Sequence, residues 1–223
     1  MDPTGTFTGA HGWRIEPGRL SGEWSCYRQA SPDWPPLYHA AGEPAPSQIS
    51  GRWHRQGEGY AQYLSLEPLG AWAELVRYEA IRTPERARTY HRRLWLCFVR
   101  ETEIADLSTF DAYRECGLDP AIAVGDHPAA QALADELRDG GYRGLLSPSA
   151  ALAGATNLTL FGERYERVML GGLDRWPNPR PDLFIPCSLV VEGGPPIQLL
   201  DETTFEGRSH PGYRAWITSR LGA

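Results

Sequence analysis

The part of this chain that most constrains its fold is a short strand that leads directly into an amphipathic helix. Residues 60–65 are of the types found in strands, and Pro68 cannot donate to a sheet ladder, so the proline predicts the passage into a helix. Apolar residues then recur at helical spacing and predict the buried stripe of a helix over about residues 69–81. The stripe consists of Leu69, Trp72, Ala73, Val76 and Ala80. The chain is therefore expected to combine sheet and helix.

The rest of the sequence predicts an α+β domain of short elements. Segments rich in aromatic, β-branched or apolar residues indicate further strands. Those strands are expected at residues 23–29, 93–99, 144–146 and 157–161. A second helix is predicted between Asp126, a candidate N-cap, and Gly140, which would close it, with Pro128 near its first turn.

The composition changes at residue 171, where glycines and prolines predict a loop. Beyond that loop, residues 188–191 and 197–200 are expected to form two strands joined through residues 193–196. The chain is therefore divided into three parts. These are an N-terminal tail (1–20), a main domain (21–170) and a C-terminal extension with a β-hairpin (171–223).

An arginine, an aromatic ring and a carboxylate occur within a short span of the sequence. Arg52 lies on a polar turn bracketed by Gly51 and Gly57. Tyr63 lies near the end of the predicted strand, and Glu74 lies in the predicted helix, away from its apolar stripe. Such groups can hold a phosphate, stack on a nicotinamide-like ring and stabilise the cation that forms as a glycosidic bond breaks. The span suggests chemistry on a nucleotide sugar, although Glu74 taken alone is more typical of a solvated helix residue.

Six short motifs resemble, in their order and spacing, those of the RES domain family, which is named for its arginine, glutamate and serine. The resemblance covers residues 24–169. The motifs are Tyr27-Arg28, Gly51-Arg52-Trp53 with Gly57, Tyr63-Leu64-Ser65, Ala73-Glu74-Leu75, Gly144-Leu145 with Pro148-Ser149-Ala150, and Asn157-Leu158-Thr159-Leu160-Phe161. Their combination indicates that residues 21–170 form a RES-like catalytic domain.

The resemblance implies a fold similar to that of ADP-ribosyltransferases, with a split β-sheet core flanked by helices. It implies an enzyme that degrades NAD by releasing nicotinamide, either as an NAD glycohydrolase with water as acceptor or as an NAD phosphorylase with phosphate. NAD is then the substrate, and no other cofactor is expected. Family members are typically toxins of bacterial toxin–antitoxin pairs, so the resemblance also implies a partner, an Xre-type antitoxin protein.

The same resemblance assigns the candidate site residues. Glu74, Arg28 and Arg52 correspond to the catalytic set, with Glu74 as the carboxylate that stabilises the sugar cation. Arg28 and Arg52 are expected to grip the pyrophosphate through their guanidinium groups. Tyr63 is expected to stack on the nicotinamide or orient it, and Ser149 to hydrogen-bond a ribose hydroxyl or the nicotinamide amide. Without the family pattern, these residue types are more typical of structural roles.

Two residues depart from the family pattern. His54 stands where the family usually has asparagine. Ala151 follows the Pro148-Ser149-Ala150 motif, where the family often has arginine. Three interpretations therefore stay open. The resemblance favours an NAD-degrading enzyme; the alternatives are an ADP-ribosyltransferase that modifies a protein target and a catalytically silent domain that keeps the fold as a binding module.

The overall composition excludes several classes of protein. A formal net charge of -6 and a pI near 5.5 argue against nucleic-acid binding, which needs clustered Lys and Arg. The sequence has no apolar run of the length of a membrane span and no apolar leader at its start, so a cytoplasmic protein is expected. The cysteines form no CxxC pair and the histidines show no ligand spacing, so no metal site is predicted. The number of subunits stays open, and a homo-oligomer is compatible with the sequence.

Overall fold

The structure is a computed structural model that describes residues 7–8, 14–15, 17–37, 48–168 and 183–221. The strands are β1 (Phe7–Thr8), β2 (Arg14–Ile15), β3 (Gly18–Ala30), β4 (Ala61–Ser65), β5 (Arg92–Asp106), β6 (Gly144–Pro148), β7 (Thr156–Phe161), β8 (Tyr165–Val168) and β9 (Phe184–Gly193). The helices are α1 (Pro68–Tyr78), α2 (Pro84–Thr89), α3 (Phe110–Glu115), a 3₁₀ helix (Pro120–Ala123), α4 (His127–Asp139), α5 (Leu199–Glu202) and α6 (Pro211–Leu221). Seven strands form the central sheet in the order β3-β4-β7-β6-β5-β9-β8, and β1 pairs with β2.

The long strand β5 organises the central sheet. Along one edge it pairs antiparallel with β3, from Gly18 opposite Asp106 to Ala30 opposite Arg93. Its other edge is shared, because the first half of β5 pairs antiparallel with β9 and its last residues, from Ile104 onward, pair parallel with β6. The sheet therefore splits at β5, and the predicted α+β class with a split-sheet core is confirmed.

The helices cover the sheet in separate groups. One core, which includes Trp72 and Leu75, joins α1 to the sheet. A second core, which includes Tyr113 and Leu133, joins α3 and α4 to it. A third core is formed mainly by strand residues such as Leu158. Among the helices of the described residues, none is long and apolar enough to cross a membrane.

Helix α1 confirms the predicted passage from strand to helix. Pro68 is its first residue, where the fixed φ and the missing N–H of proline are tolerated best. The central part of the predicted apolar stripe is buried. The helix ends at Tyr78, short of the predicted residue 81, because Ala80 adopts a φ of 48° and the Ile81 N–H bonds back to the Val76 carbonyl.

The other predicted core elements are present with shifted ends. Strands β3, β5, β6 and β7 contain the segments predicted as strands, and β3 and β5 extend well beyond them. Helix α4 follows Asp126 at its N-cap and ends at Asp139, with Gly140 at its C-cap, as predicted. Local pattern therefore identified these elements, and pairing between distant strands determined their lengths.

The predicted C-terminal hairpin is wrong. Residues 188–191 lie in β9, but β9 pairs with β5 and β8 and so belongs to the central sheet. Residues 197–200 form a turn and the start of α5, in which the Leu199 N–H bonds to the Pro196 carbonyl. Leu199 is buried in the core that contains α1, and this tertiary contact stabilises a helix rather than a strand. The loop predicted from residue 171 lies outside the described residues, and the domain limits stay a prediction.

Candidate active site

The carboxylate of Glu74 is held through one of its two oxygens. Oε1 accepts a hydrogen bond from the Ser149 hydroxyl at 2.8 Å and another from the Asn157 side-chain amide at 2.7 Å. Oε2 has no hydrogen-bond partner in the part of the chain that the structure describes. The two donors orient the carboxylate and leave one oxygen for a ligand.

Strand pairing explains why these donors meet helix α1. Asn157 on β7 lies opposite Ser65 on β4 and opposite Ser147 on β6, so its side chain is on the face of the sheet where α1 packs. Ser149 follows the end of β6 and is fully buried. Two sheet strands and one helix thus position the carboxylate of Glu74.

The hydroxyl of Ser149 makes one donated and two accepted hydrogen bonds, which is its full hydrogen-bonding capacity. While it donates to Glu74, it accepts from the backbone N–H groups of Ala151 and Leu152, each at 3.1 Å. The serine therefore holds the turn after β6 and the catalytic candidate Glu74 at the same time. Its predicted contact with a ribose hydroxyl or an amide stays a prediction.

Arg52 lies within electrostatic range of Glu74. Its guanidinium donates to the carbonyl of Gly125 at 2.6 Å and to that of Ile122 at 3.5 Å, in the segment that leads into α4. Burial lowers the pKa of Arg52; the charge of Glu74 opposes this shift, and the charge of Arg77 adds to it. The structure therefore brings Arg52 and Glu74 into electrostatic contact.

Tyr63 supports the turn that carries Arg52. Its hydroxyl accepts from the backbone N–H of Trp53 at 2.9 Å and hydrogen-bonds Nδ1 of His54 at 2.9 Å. Gly51 is required beside it, since a Cβ there would lie 2.6 Å from the tyrosine oxygen. His54 thus has a structural use in this chain, and the stacking of Tyr63 on nicotinamide stays a prediction.

Arg28 is not on the same face of the sheet as Glu74. Tyr27 lies opposite Ser65 and packs with the α1 core, so by strand alternation Arg28 points to the other side. Its guanidinium donates to the Tyr63 carbonyl at 3.3 Å and to Oε1 of Gln62 at 3.5 Å. The role of Arg28 in binding pyrophosphate stays a prediction.

A cleft of about 510 Å³ opens one helical turn beyond Glu74. Arg77, three residues along α1, forms part of its wall and donates to the carbonyls of Ala150 and Thr204. The other walls are the start of α4 and the segment before α6. The lining residues are Arg77, Val124, Gly125, Asp126, His127, Pro128, Glu206, Gly207 and Arg208.

The C-terminal segment also places a histidine beside the site. His210 is buried, and its Nδ1 accepts the backbone N–H of Tyr213 at 3.2 Å at the start of α6. Burial lowers the pKa of His210, and the charges of Arg77 and Arg52 lower it further, whereas Glu74 raises it. Burial therefore favours the neutral form of His210, whose ring lies within electrostatic range of Glu74.

Several of these residues were not predicted from the sequence. Arg77 carries a usable signal, because it lies three residues after Glu74 and so on the same side of the helix. Asn157 lies inside a recognised motif but was given no role. His127 and His210 have no local signal, since only the fold brings their segments to the cleft. Within residues 17–37, 48–168 and 183–221, no group of three His, Cys, Asp or Glu side chains is arranged to hold a metal ion.

Comparison with known proteins shows which proteins this chain resembles. The family model of the RES domain matches residues 13–176 of this chain. A probable NAD(+) phosphorylase of Mycobacterium tuberculosis is 31% identical over 118 residues, which cover 52% of this chain and 55% of that protein. The chain thus spans about half the length of this curated relative. A chain in the crystal structure of the M. tuberculosis MbcT–MbcA toxin–antitoxin complex has a similar fold, with a TM-score of 0.55 and 20% identity over 83% of this chain and 91% of that one.

Proposed function

The chain belongs to the RES domain family, and on that premise we propose that it is an enzyme that cleaves NAD and releases nicotinamide. The observation that carries the proposal is the carboxylate of Glu74, which Ser149 and Asn157 hold through one oxygen beside an arginine-lined cleft. The name of the mycobacterial relative, a probable NAD(+) phosphorylase, supports the same substrate.

The chemistry of the bond explains why a single carboxylate is enough. When the bond from nicotinamide to ribose breaks, the pyridinium nitrogen takes the electron pair and leaves as neutral nicotinamide, so no general acid is needed. The sugar carbon becomes an oxocarbenium-like cation. The free Oε2 of Glu74 stabilises that positive charge, and its orientation is fixed before the reaction begins.

Arg52 holds an anionic part of the substrate in this proposal. One of its terminal nitrogens is used on the carbonyls of Gly125 and Ile122, while its remaining N–H groups have no hydrogen-bond partner in the described ranges. A guanidinium with free N–H groups binds phosphate oxygens through charge-assisted bonds. Tyr63 keeps Arg52 in place through its hydroxyl and offers its ring to the nicotinamide.

Inorganic phosphate is the acceptor that we propose. A phosphate oxygen forms the new bond to the sugar carbon, and the products are nicotinamide and ADP-ribose 1″-phosphate. With water, the products are nicotinamide, ADP-ribose and a proton. Mass spectrometry of the products with and without phosphate separates these reactions, and ADP-ribose attached to protein would instead favour the transferase.

We also propose that the chain is the toxin of a toxin–antitoxin pair. Support comes from the likeness of its fold to a chain of the MbcT–MbcA complex. An Xre-type antitoxin would inhibit the enzyme most simply by covering the cleft and offering a carboxylate or carbonyl to Arg52 and Arg77. Growth and total NAD of a bacterial host after induction, with and without such a partner, test this part of the proposal.

The decisive test is Glu74→Gln. Glutamine keeps an oxygen that accepts from Ser149 and Asn157, so the side chain stays in place while its charge is removed. Unit charges about 4 Å apart at an effective dielectric constant of about 20 interact by about 4 kcal/mol, so we expect kcat to fall about a thousandfold. NAD binding, measured by calorimetry, is expected to change little.

Glu85→Gln is the matched control, since Glu85 is exposed on α2 and pairs only weakly with Arg88 at 3.7 Å. It is expected to keep wild-type turnover, host toxicity and NAD depletion, all of which Glu74→Gln should lose. A wild-type protein that releases no nicotinamide from NAD rejects the proposed function. Loss of NAD binding together with turnover in Glu74→Gln would assign Glu74 a structural role instead.

A further inference from the structure

Charged side chains that form no hydrogen bond or ion pair among the described residues line the cleft on its C-terminal side. Arg208 and Glu206 are exposed, and neither side chain forms a hydrogen bond or ion pair within the described part of the chain. The same holds for Asp126 across the cleft. Arg208 and Glu206 lie beyond residues 13–176, so they are outside the part of the chain that the RES domain matches.

The cleft is larger than a single small anion requires. Its volume of about 510 Å³ is within the range of pockets that hold drug-sized or cofactor-sized molecules. A free phosphate would fill only a small part of it. A free phosphate makes no use of the carboxylates of Glu206 and Asp126, whereas carboxylates readily accept hydrogen bonds from sugar hydroxyls.

The mixture of charges matches a phosphorylated ribose. Arg77 and Arg208 supply guanidinium groups for phosphate oxygens. The start of α4, with His127 and Pro128 on the cleft, adds the positive end of a helix dipole. Glu206 and Asp126 supply acceptors for ribose hydroxyls.

We infer that this cleft binds the adenylate half of NAD, with Arg208 on its phosphate and Glu206 on the hydroxyls of its ribose. The inference rests on the proposed function. Arg77 follows Glu74 by three residues on α1, so the cleft begins next to the carboxylate at which the nicotinamide ribose would react. The C-terminal segment then determines how tightly NAD is held, while Glu74 carries out the bond cleavage.

Arg208→Ala tests the phosphate contact by comparing two substrates. Nicotinamide mononucleotide is NAD without its adenylate half, so it contains the bond that breaks but cannot reach Arg208. We expect Arg208→Ala to lower the ratio of kcat/KM for NAD to kcat/KM for nicotinamide mononucleotide by about tenfold or more, as expected for the loss of a charge-assisted bond. Arg214→Ala, which removes an exposed arginine on α6, is the control and should leave the ratio unchanged.

Three results would overturn the inference. An unchanged ratio in Arg208→Ala, or an equal loss of activity on both substrates, would give Arg208 no role in binding adenylate. A higher KM for inorganic phosphate with unchanged KM for NAD would make the cleft an acceptor site. A wild-type enzyme with equal kcat/KM for NAD and nicotinamide mononucleotide would also reject the inference, but it would leave the proposed function intact. A wild-type protein that releases no nicotinamide from either substrate would reject the proposed function itself.

Glu206→Gln tests the ribose contact. A carboxylate at the ribose hydroxyls repels the 2′-phosphate of NADP, so the wild type is expected to prefer NAD. Glu206→Gln should narrow the preference for NAD over NADP about tenfold, whereas Glu202→Gln, an exposed residue of α5 outside the cleft, should not. An unchanged preference in Glu206→Gln would contradict the placement of the ribose.

Discussion

Replacing Ser149 with alanine should reduce both stability and turnover, for reasons that can be read from its three hydrogen bonds. The hydroxyl is fully buried, donates to Glu74 and accepts from the N–H groups of Ala151 and Leu152. Alanine leaves those two N–H groups without their acceptor. A buried polar group that loses its partner costs about 1–3 kcal/mol. Because Leu152 is only half-buried and water can reach it, we expect a total loss of about 2–4 kcal/mol in the free energy of unfolding.

Differential scanning calorimetry measures this loss. For a protein of this size each kcal/mol shifts Tm by about 2–4 °C, so Ser149→Ala should melt about 4–16 °C below the wild type. Asn157 still holds Oε1 of Glu74 in the variant, so kcat should fall by about tenfold, much less than in Glu74→Gln.

Ser147→Ala provides the matched control. Ser147 is also buried and lies two residues earlier, on β6, but its hydroxyl forms no hydrogen bond within the described residues. Its replacement should change Tm and kcat little. If Ser149→Ala behaves like Ser147→Ala, then Ser149 does not hold the carboxylate of Glu74 in place.

Two further predictions concern the arginine turn and the dependence on pH. Tyr63→Phe removes the oxygen that binds Trp53 and His54, so it should lower the free energy of unfolding by about 1–3 kcal/mol. It should also raise KM for NAD, because the turn that carries Arg52 is displaced. A variant with the Tm and KM of the wild type would contradict this. Burial lowers the pKa of His54 and of His210, so the unfolded chain binds more protons than the folded one below the ordinary histidine pKa. The contribution of these histidines to the free energy of unfolding should therefore be fully present above about pH 6.5. Below that pH, the free energy of unfolding should fall by about 1.4 kcal/mol per pH unit for each histidine that stays neutral. Melting curves between pH 7.5 and 5.5 check this, and a Tm that rises as the pH falls would contradict it.

Local sequence pattern was sufficient where local contacts decide the structure. The stripe on α1 and the proline before it predicted a helix at the correct place, and its C-terminal end was missed because a single residue, Ala80, adopts a left-handed conformation. Residues 197–200 show the opposite case. A short apolar run fits a strand or a buried helix equally well, and the burial of Leu199 against the α1 core decides between them.

The site itself depends on contacts between distant parts of the chain. Ser149 and Asn157 reach Glu74 across 75 and 83 residues of sequence. A motif can indicate that such residues act together, but it does not distinguish one that touches a ligand from one that holds its neighbour. In this chain Ser149 and Tyr63 both use their hydroxyls on other residues of the site.

The C-terminal segment illustrates why part of the cleft escaped prediction. Glu206 and Arg208 lie in a polar stretch that, from sequence, is typical of a solvated loop. That stretch is held against the site by the Thr204 N–H, which bonds to the Ala151 carbonyl, and by Arg77, which bonds to the Thr204 carbonyl. Thr204 takes part in both bonds only through its backbone, so its side-chain identity does not predict them. Since Arg77 also bonds the Ala150 carbonyl, one arginine connects the turn after Ser149 to the segment that we infer binds adenylate. Arg77 therefore physically links the segment inferred to bind adenylate with the turn that orients Glu74.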